Sequence, residues 1–279
     1  MQDRVYAVGA LALLLSACVA PTRVMLAPEV KQQLTEVRAQ SVVWQDEIIV
    51  KAEAPNVSAA LGGGLLGAMI DSSISEGRQN TVQGLIDPFY AAVDDVDFRP
   101  QLWNALDTAF KGDFAVKISG FSKTVAMPEH GAKAPAGLAS GQGYLQVRTE
   151  YTFTPDFARL NILTWATLWK GGAEAPVYAN TLFYQSEAVG SGNAASIQQW
   201  AADHGAQYRR ALAEGAAETV AMLKLDLAAN AAETAQAKTV VAKKIDGPVI
   251  LNVSGPLLSE QKGRVIARHS DGHVYSLAN

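Results

Sequence analysis

The sequence predicts an α+β fold: a mainly antiparallel sheet, with a three-stranded meander plus additional strands, packed against several helices. Three observations predict it. Val147, Thr149, Tyr151 and Phe153 alternate with Gln146, Arg148, Glu150 and Thr152, the period of a half-buried strand. Pro155-Asp156 and Gly171-Gly172 separate this run from two further apolar runs, and such short spacers join neighbouring strands as an antiparallel meander over 144–154, 159–169 and 177–186. Finally, Ile197, Trp200, His204, Tyr208, Leu212, Val220, Leu223 and Leu227 recur near the helical period, which predicts a long helical region over 193–232.

The remaining elements follow in chain order. Pro28 suits a first helical position and Glu29 a first turn, so 28–38 reads as a polar helix. The run VVWQDEIIVK at 42–51 reads as a strand, ended by Pro55 and Asn56. Residues 57–70 (VSAALGGGLLGAMI) are apolar and glycine-rich. They fit either a close helix contact through Gly63 and Gly67 or a buried loop or irregular helix, and the cost of interior glycines favours the second. Residues 72–93 read as helical, with Asp87 and Pro88 able to restart the helix. A further helix over 100–110 buries Leu102, Trp103, Leu106 and Phe110. Residues 114–125 read as a strand and 127–142 as a loop. Beyond 228 the chain is alanine-rich and polar to 244. A short strand over 248–253 and a hairpin over 265–277 around Asp271-Gly272 follow.

The first residues are of another kind. After Arg4, the run VYAVGALALLL at 5–15 is uncharged and too short to cross a bilayer as a helix, which needs roughly 20 residues. It matches the apolar core of a signal peptide. The quartet Leu15-Ser16-Ala17-Cys18 resembles the bacterial lipobox. That resemblance implies cleavage before Cys18, diacylglycerol on its thiol and acylation of its new amino terminus. Several acyl chains make a stable anchor where one is marginal. Val19 follows, where Asp favours inner-membrane retention in lipoproteins of enteric type, so the resemblance implies the outer membrane. The expected organisation is 1–17 signal peptide, 18–27 lipidated tether, 28–232 body, and 233–279 an extension with a β-hairpin.

Cys18 is the sole cysteine of the chain, so no internal disulfide forms. With 23 basic and 27 acidic residues and no basic stripe with interleaved aromatics, nothing points to nucleic acid. The search for chemistry is equally spare. A two-residue turn at Asp271-Gly272 sends His269 and His273 to opposite faces, which argues against a shared metal. His130 stands beside Glu129 with no further ligand, and His204 reads as a packed residue on an apolar helix face. Asp94, Asp95 and Asp97 lack calcium-loop spacing and read as a solvated helix end. Asp71 and Asp87 have no identifiable catalytic partner. There is no Gly-x-Ser-x-Gly elbow, and the glycines at 62–64 lack a phosphate loop's Gly-Lys-Ser/Thr ending. No catalytic residue, metal or cofactor is expected.

The segment GGGLLGAMID is similar to one found in uncharacterised proteobacterial lipoproteins. The order of elements is similar to small α/β domains of envelope-assembly lipoproteins, an analogy of fold alone. The expected function is a non-enzymatic binding or assembly component of the cell envelope, lipid-anchored in the outer membrane and facing the periplasm, with an envelope protein as partner. Trp165, Trp169 and Phe183 are the candidate partner surface, against the plainer reading of sheet core. Two alternatives stand beside it. One is a lipid or small-ligand carrier with a cavity near Phe121, Trp165 and Phe183. The other is an envelope hydrolase.

Overall fold

The computed structural model describes residues 23–48, 86–126, 135–229, 236–261 and 263–278. Cys18, the glycine-rich segment 57–70, Asp71, Glu129 and His130 lie outside these residues. The elements run α1 (Pro28–Gln33), β1 (Glu36–Val42), α2 (Phe98–Lys111), β2 (Ile118–Thr124), β3 (Gln142–Phe153), β4 (Leu160–Lys170), β5 (Tyr178–Gln185), α3 (Asn193–Ala228), β6 (Thr239–Asp246), β7 (Val249–Gln261), β8 (Arg264–Arg268) and β9 (Val274–Ala278). Residues 86–92 are also helical.

The α+β class holds. The sheet, however, is mixed rather than mainly antiparallel. Its nine strands lie in the order β2-β1-β3-β4-β5-β9-β8-β7-β6. The expected β3-β4-β5 meander sits at its centre, but β1 pairs in parallel with both β2 and β3, and β9 pairs in parallel with β5. Parallel neighbours cannot be joined by a tight hairpin: α2 lies between β1 and β2, and α3 with β6, β7 and β8 lies between β5 and β9.

The β3 pattern decides the layering. Gly143, Leu145, Val147, Thr149, Tyr151 and Phe153 face α2 and α3, while the intervening residues face outward. In α2, Phe98, Leu102, Leu106 and Phe110 form the buried stripe. Trp103, expected on that stripe, is half-buried instead and has the Lys123 ammonium over its ring. Asp97 caps α2 by accepting from the Arg99 backbone N–H at 2.8 Å. A second, smaller core of Phe183, Ala242, Val253, Val265, Tyr275 and Leu277 lies on the outward face, where the β6–β7 hairpin folds across β5 and β9. The C-terminal strands therefore continue the same sheet.

Two expected boundaries change. The expected helix over 28–38 stops at Gln33 and the chain becomes β1, because Val37, Ala39 and Ser41 alternate into the core between two partner strands. Of the strand expected over 42–51, residues 43–48 are irregular and 49–51 lie outside the described residues. Its Gln45 side chain stands in for backbone, donating to the Tyr151 carbonyl and accepting from the Tyr151 N–H, both at 2.9 Å. That buried amide extends the β3 ladder and fixes the path of Asp46 and Glu47.

α3 is broken. Asp203, His204 and Gly205 take left-handed dihedrals, with φ of 51°, 54° and 71°. His204, expected on the apolar face, is exposed at this break. Gly205 is required there twice over: its φ is positive, and a Cβ would meet Val93 Cγ1 at 2.4 Å. Gly205→Ala is expected to lower stability by about 2 kcal/mol. Val93→Ala should restore part of the loss in the double variant. Equal urea midpoints for wild type and Gly205→Ala would refute this.

Candidate functional site

The break in α3 and the side-chain ladder at Gln45 converge on one cleft. It lies at the end of the sheet where β1 and β3 finish, the far end. Its volume is roughly 380 Å³. One wall is Asp46 and Glu47, another is Asp94, Asp95 and Asp97, and Tyr90 and Tyr208 complete it. Tyr90 donates to the Ile48 carbonyl at 2.8 Å. Burial, with Glu47 and Asp87 adding to it, pushes the Tyr90 phenol up to about 12, so it stays protonated at neutral pH.

Two guanidinium groups answer part of the acidic charge. Arg99 Nε lies 2.9 Å from Asp97 Oδ1. Arg209, oriented by a bond to the His204 carbonyl at the helix break, lies 2.5 Å from Asp95 Oδ1 and holds that carboxyl below the usual range. Among the described residues Asp46, Glu47 and Asp94 form no ion pair. They add negative charge to the cleft wall.

At the opposite, near end of the sheet lies a buried polar hub. The Asp226 carboxylate is 1 % exposed and accepts from four donors. Oδ1 takes Arg23 Nη2 at 3.0 Å and Arg268 Nη2 at 2.7 Å, while Oδ2 takes Tyr178 Oη at 2.9 Å and Asn180 Nδ2 at 2.6 Å. Burial and the neighbouring Asp226 raise the Tyr178 phenol well above its ordinary value, so it remains a donor. Arg23 is also tied through its neighbour, since Val24 exchanges backbone hydrogen bonds with Ala179 at 2.8 and 3.0 Å. From Tyr208 to Asp226, α3 advances 18 residues, or roughly 27 Å, which separates cleft from hub.

The expected partner surface is not an open patch. Trp169 and Phe183 are 4 % and 8 % exposed. Trp165 is half-buried with the Arg148 guanidinium 4.0 Å from its ring centroid. Phe183 lies beneath the β6–β7 hairpin, with Lys244 4.6 Å above its ring. It lines a recess of roughly 230 Å³ with Trp44, Glu150 and Leu163. Phe121 packs on Phe110 instead and does not share that recess. The His269–His273 connection also differs from expectation. Arg268 pairs with Val274, so five residues form the turn rather than two. The two rings still find separate partners, His269 at Ser254 and His273 at Asn180.

Comparison of the chain with protein-family models, with curated proteins and with solved structures finds no match. Asp94, Asp95 and Asp97 belong to the far-end cleft, not merely to a solvated helix end. Asp46, Glu47 and Tyr208 were missed because no spacing motif links residues so distant in sequence. Among the described residues no group of three or more His, Cys, Asp or Glu is placed to hold a metal ion.

Proposed function

We propose that the chain is an outer-membrane lipoprotein, lipidated on Cys18 and facing the periplasm, that acts as a non-enzymatic binding component of an envelope assembly. The observation that carries this reading is the attachment of Arg23 and Val24 to the near end of the body. Five chain steps separate Arg23 from Cys18 and reach roughly 18 Å at full extension. A lipid on Cys18 therefore keeps the near end at the bilayer and directs the acidic cleft away from it. No helix among the described residues is long and apolar enough to cross a membrane. A carrier reading gains less support, because the apolar recess at Phe183 falls below the range of about 300–1,000 Å³ usual for small-molecule sites.

Two measurements test this. Labelled fatty acid should enter the wild type and not Cys18→Ser, and the variant should leave the membrane fraction. A photo-crosslinking side chain placed at Asp94 should capture an envelope protein in the native host, while one placed at Glu174 should not. Capture from Glu174 alone would overturn the orientation, and unchanged membrane attachment of Cys18→Ser would overturn the anchor.

A further inference from the structure

We propose that the far-end acidic cleft is a binding site for an alkylammonium group, the chemistry of a polyamine or of a lysine side chain. This rests on the reading of the protein as a binding component and names the ligand class of that cleft. Five carboxylates line or rim it against two guanidinium groups, and both guanidiniums are already committed to Asp95 and Asp97. The excess charge lies on Asp46, Glu47 and Asp94.

Tyr208 gives an independent indication. It is 2 % exposed, with its ring wrapped by Phe89, Phe153 and Trp200. Its edge lines the cleft near Tyr90 and Glu47. Among the described residues its hydroxyl has no hydrogen-bond partner. The side chain is thus almost wholly buried while its hydroxyl opens into the cleft, free to bond a ligand there. An ammonium group provides three donors and no acceptor, which suits carboxylates and a neutral phenol oxygen. The apolar parts of Val93, Val96 and Ile48 on the same walls suit an alkyl stem. A cleft of this size accepts one such chain, not a folded surface.

The test is calorimetric titration of the mature chain with spermidine and, separately, with a lysine capped at both backbone ends. Saturable one-to-one binding of at least one probe is expected. Glu47→Gln combined with Asp94→Asn should weaken it about tenfold or more. Tyr208→Phe should weaken it severalfold at an unchanged melting temperature. Spermidine binding more tightly than capped lysine supports a free polyamine as the source, and the reverse supports a partner's side chain. Absence of binding, or binding indifferent to both sets of variants, overturns the proposal. The crosslink from Asp94 is read separately. If it persists while amine binding fails, the ligand class is wrong and the assembly reading stands. If amine binding holds and the crosslink fails, the assembly reading is wrong.

Discussion

Asp226→Asn is expected to cost about 4 kcal/mol of stability, read as a lower urea midpoint. The side chain keeps its shape, but Arg23 and Arg268 lose the one carboxylate they share, and their side chains are only 15 % and 5 % exposed. Both guanidinium groups then lose the buried carboxylate that they share, and the new amide N–H₂ faces donors at Tyr178 or Asn180 rather than acceptors. Arg23→Ala should cost less, about 1–2 kcal/mol, because the Asp226–Arg268 pair survives it. A double-mutant cycle separates these contributions. Strong coupling between positions 23 and 226 is expected. Additive effects would show that Arg23 rests on the body without being held by the hub.

The functional consequence of that variant differs from its stability cost. With Arg23 released, the first part of the chain is held by the Val24–Ala179 bridge and by Leu26, which is 4 % exposed. Arg23→Ala should therefore leave the body folded while loosening its orientation at the membrane. Crosslinking from Glu174 should rise in that variant if the hub sets the orientation.

The centre of the sheet is legible in the sequence, as are β2 and the β8–β9 hairpin at its flanks, while β1 and β6 are not. β3, β4 and β5 fall within two residues of the expected limits because alternation and turn residues are local signals. The helix expected over 28–38 overruns the first three residues of β1, because the strand's alternation is short and mixed with Arg38 and Gln40 and its partners lie more than 75 residues away at Ile118 and 100 at Gln142. β6 was hidden in a polar stretch because only pairing with β7 makes it a strand. The hub left one trace. Asp226 stands among Met222, Leu223 and Leu227 on the buried side of α3, and an acid there must find partners. Those partners come from residues 23, 178, 180 and 268, which no periodicity connects. The cleft is the same case: three of its acids form a visible cluster, yet Asp46, Glu47 and Tyr208 join it only through the Gln45 ladder and the α3 break.

Gly255→Ala is expected to lower stability by about 3 kcal/mol, and to do so through the hairpin rather than the sheet centre. A Cβ at this position would lie 1.8 Å from the Arg268 carbonyl oxygen and 2.9 Å from its carbon. These are backbone atoms, so no rotamer change relieves the overlap. Either β7 moves away from β8 or both strands shift. β7 passes here from pairing with β6 to pairing with β8, so the movement lifts the β6–β7 hairpin from Phe183 and Tyr275. Val253, fully buried in the native chain, should then become accessible. Amide exchange should quicken across 239–256 while β3 and β4 stay protected, and a dye that binds exposed apolar surface should bind the variant more strongly. Because the cleft is built by the opposite face and by α3, amine binding should survive wherever the variant is folded. Uniform loss of protection across the whole sheet would show instead that the hairpin and the main core unfold as one unit, and that Gly255 governs the entire fold.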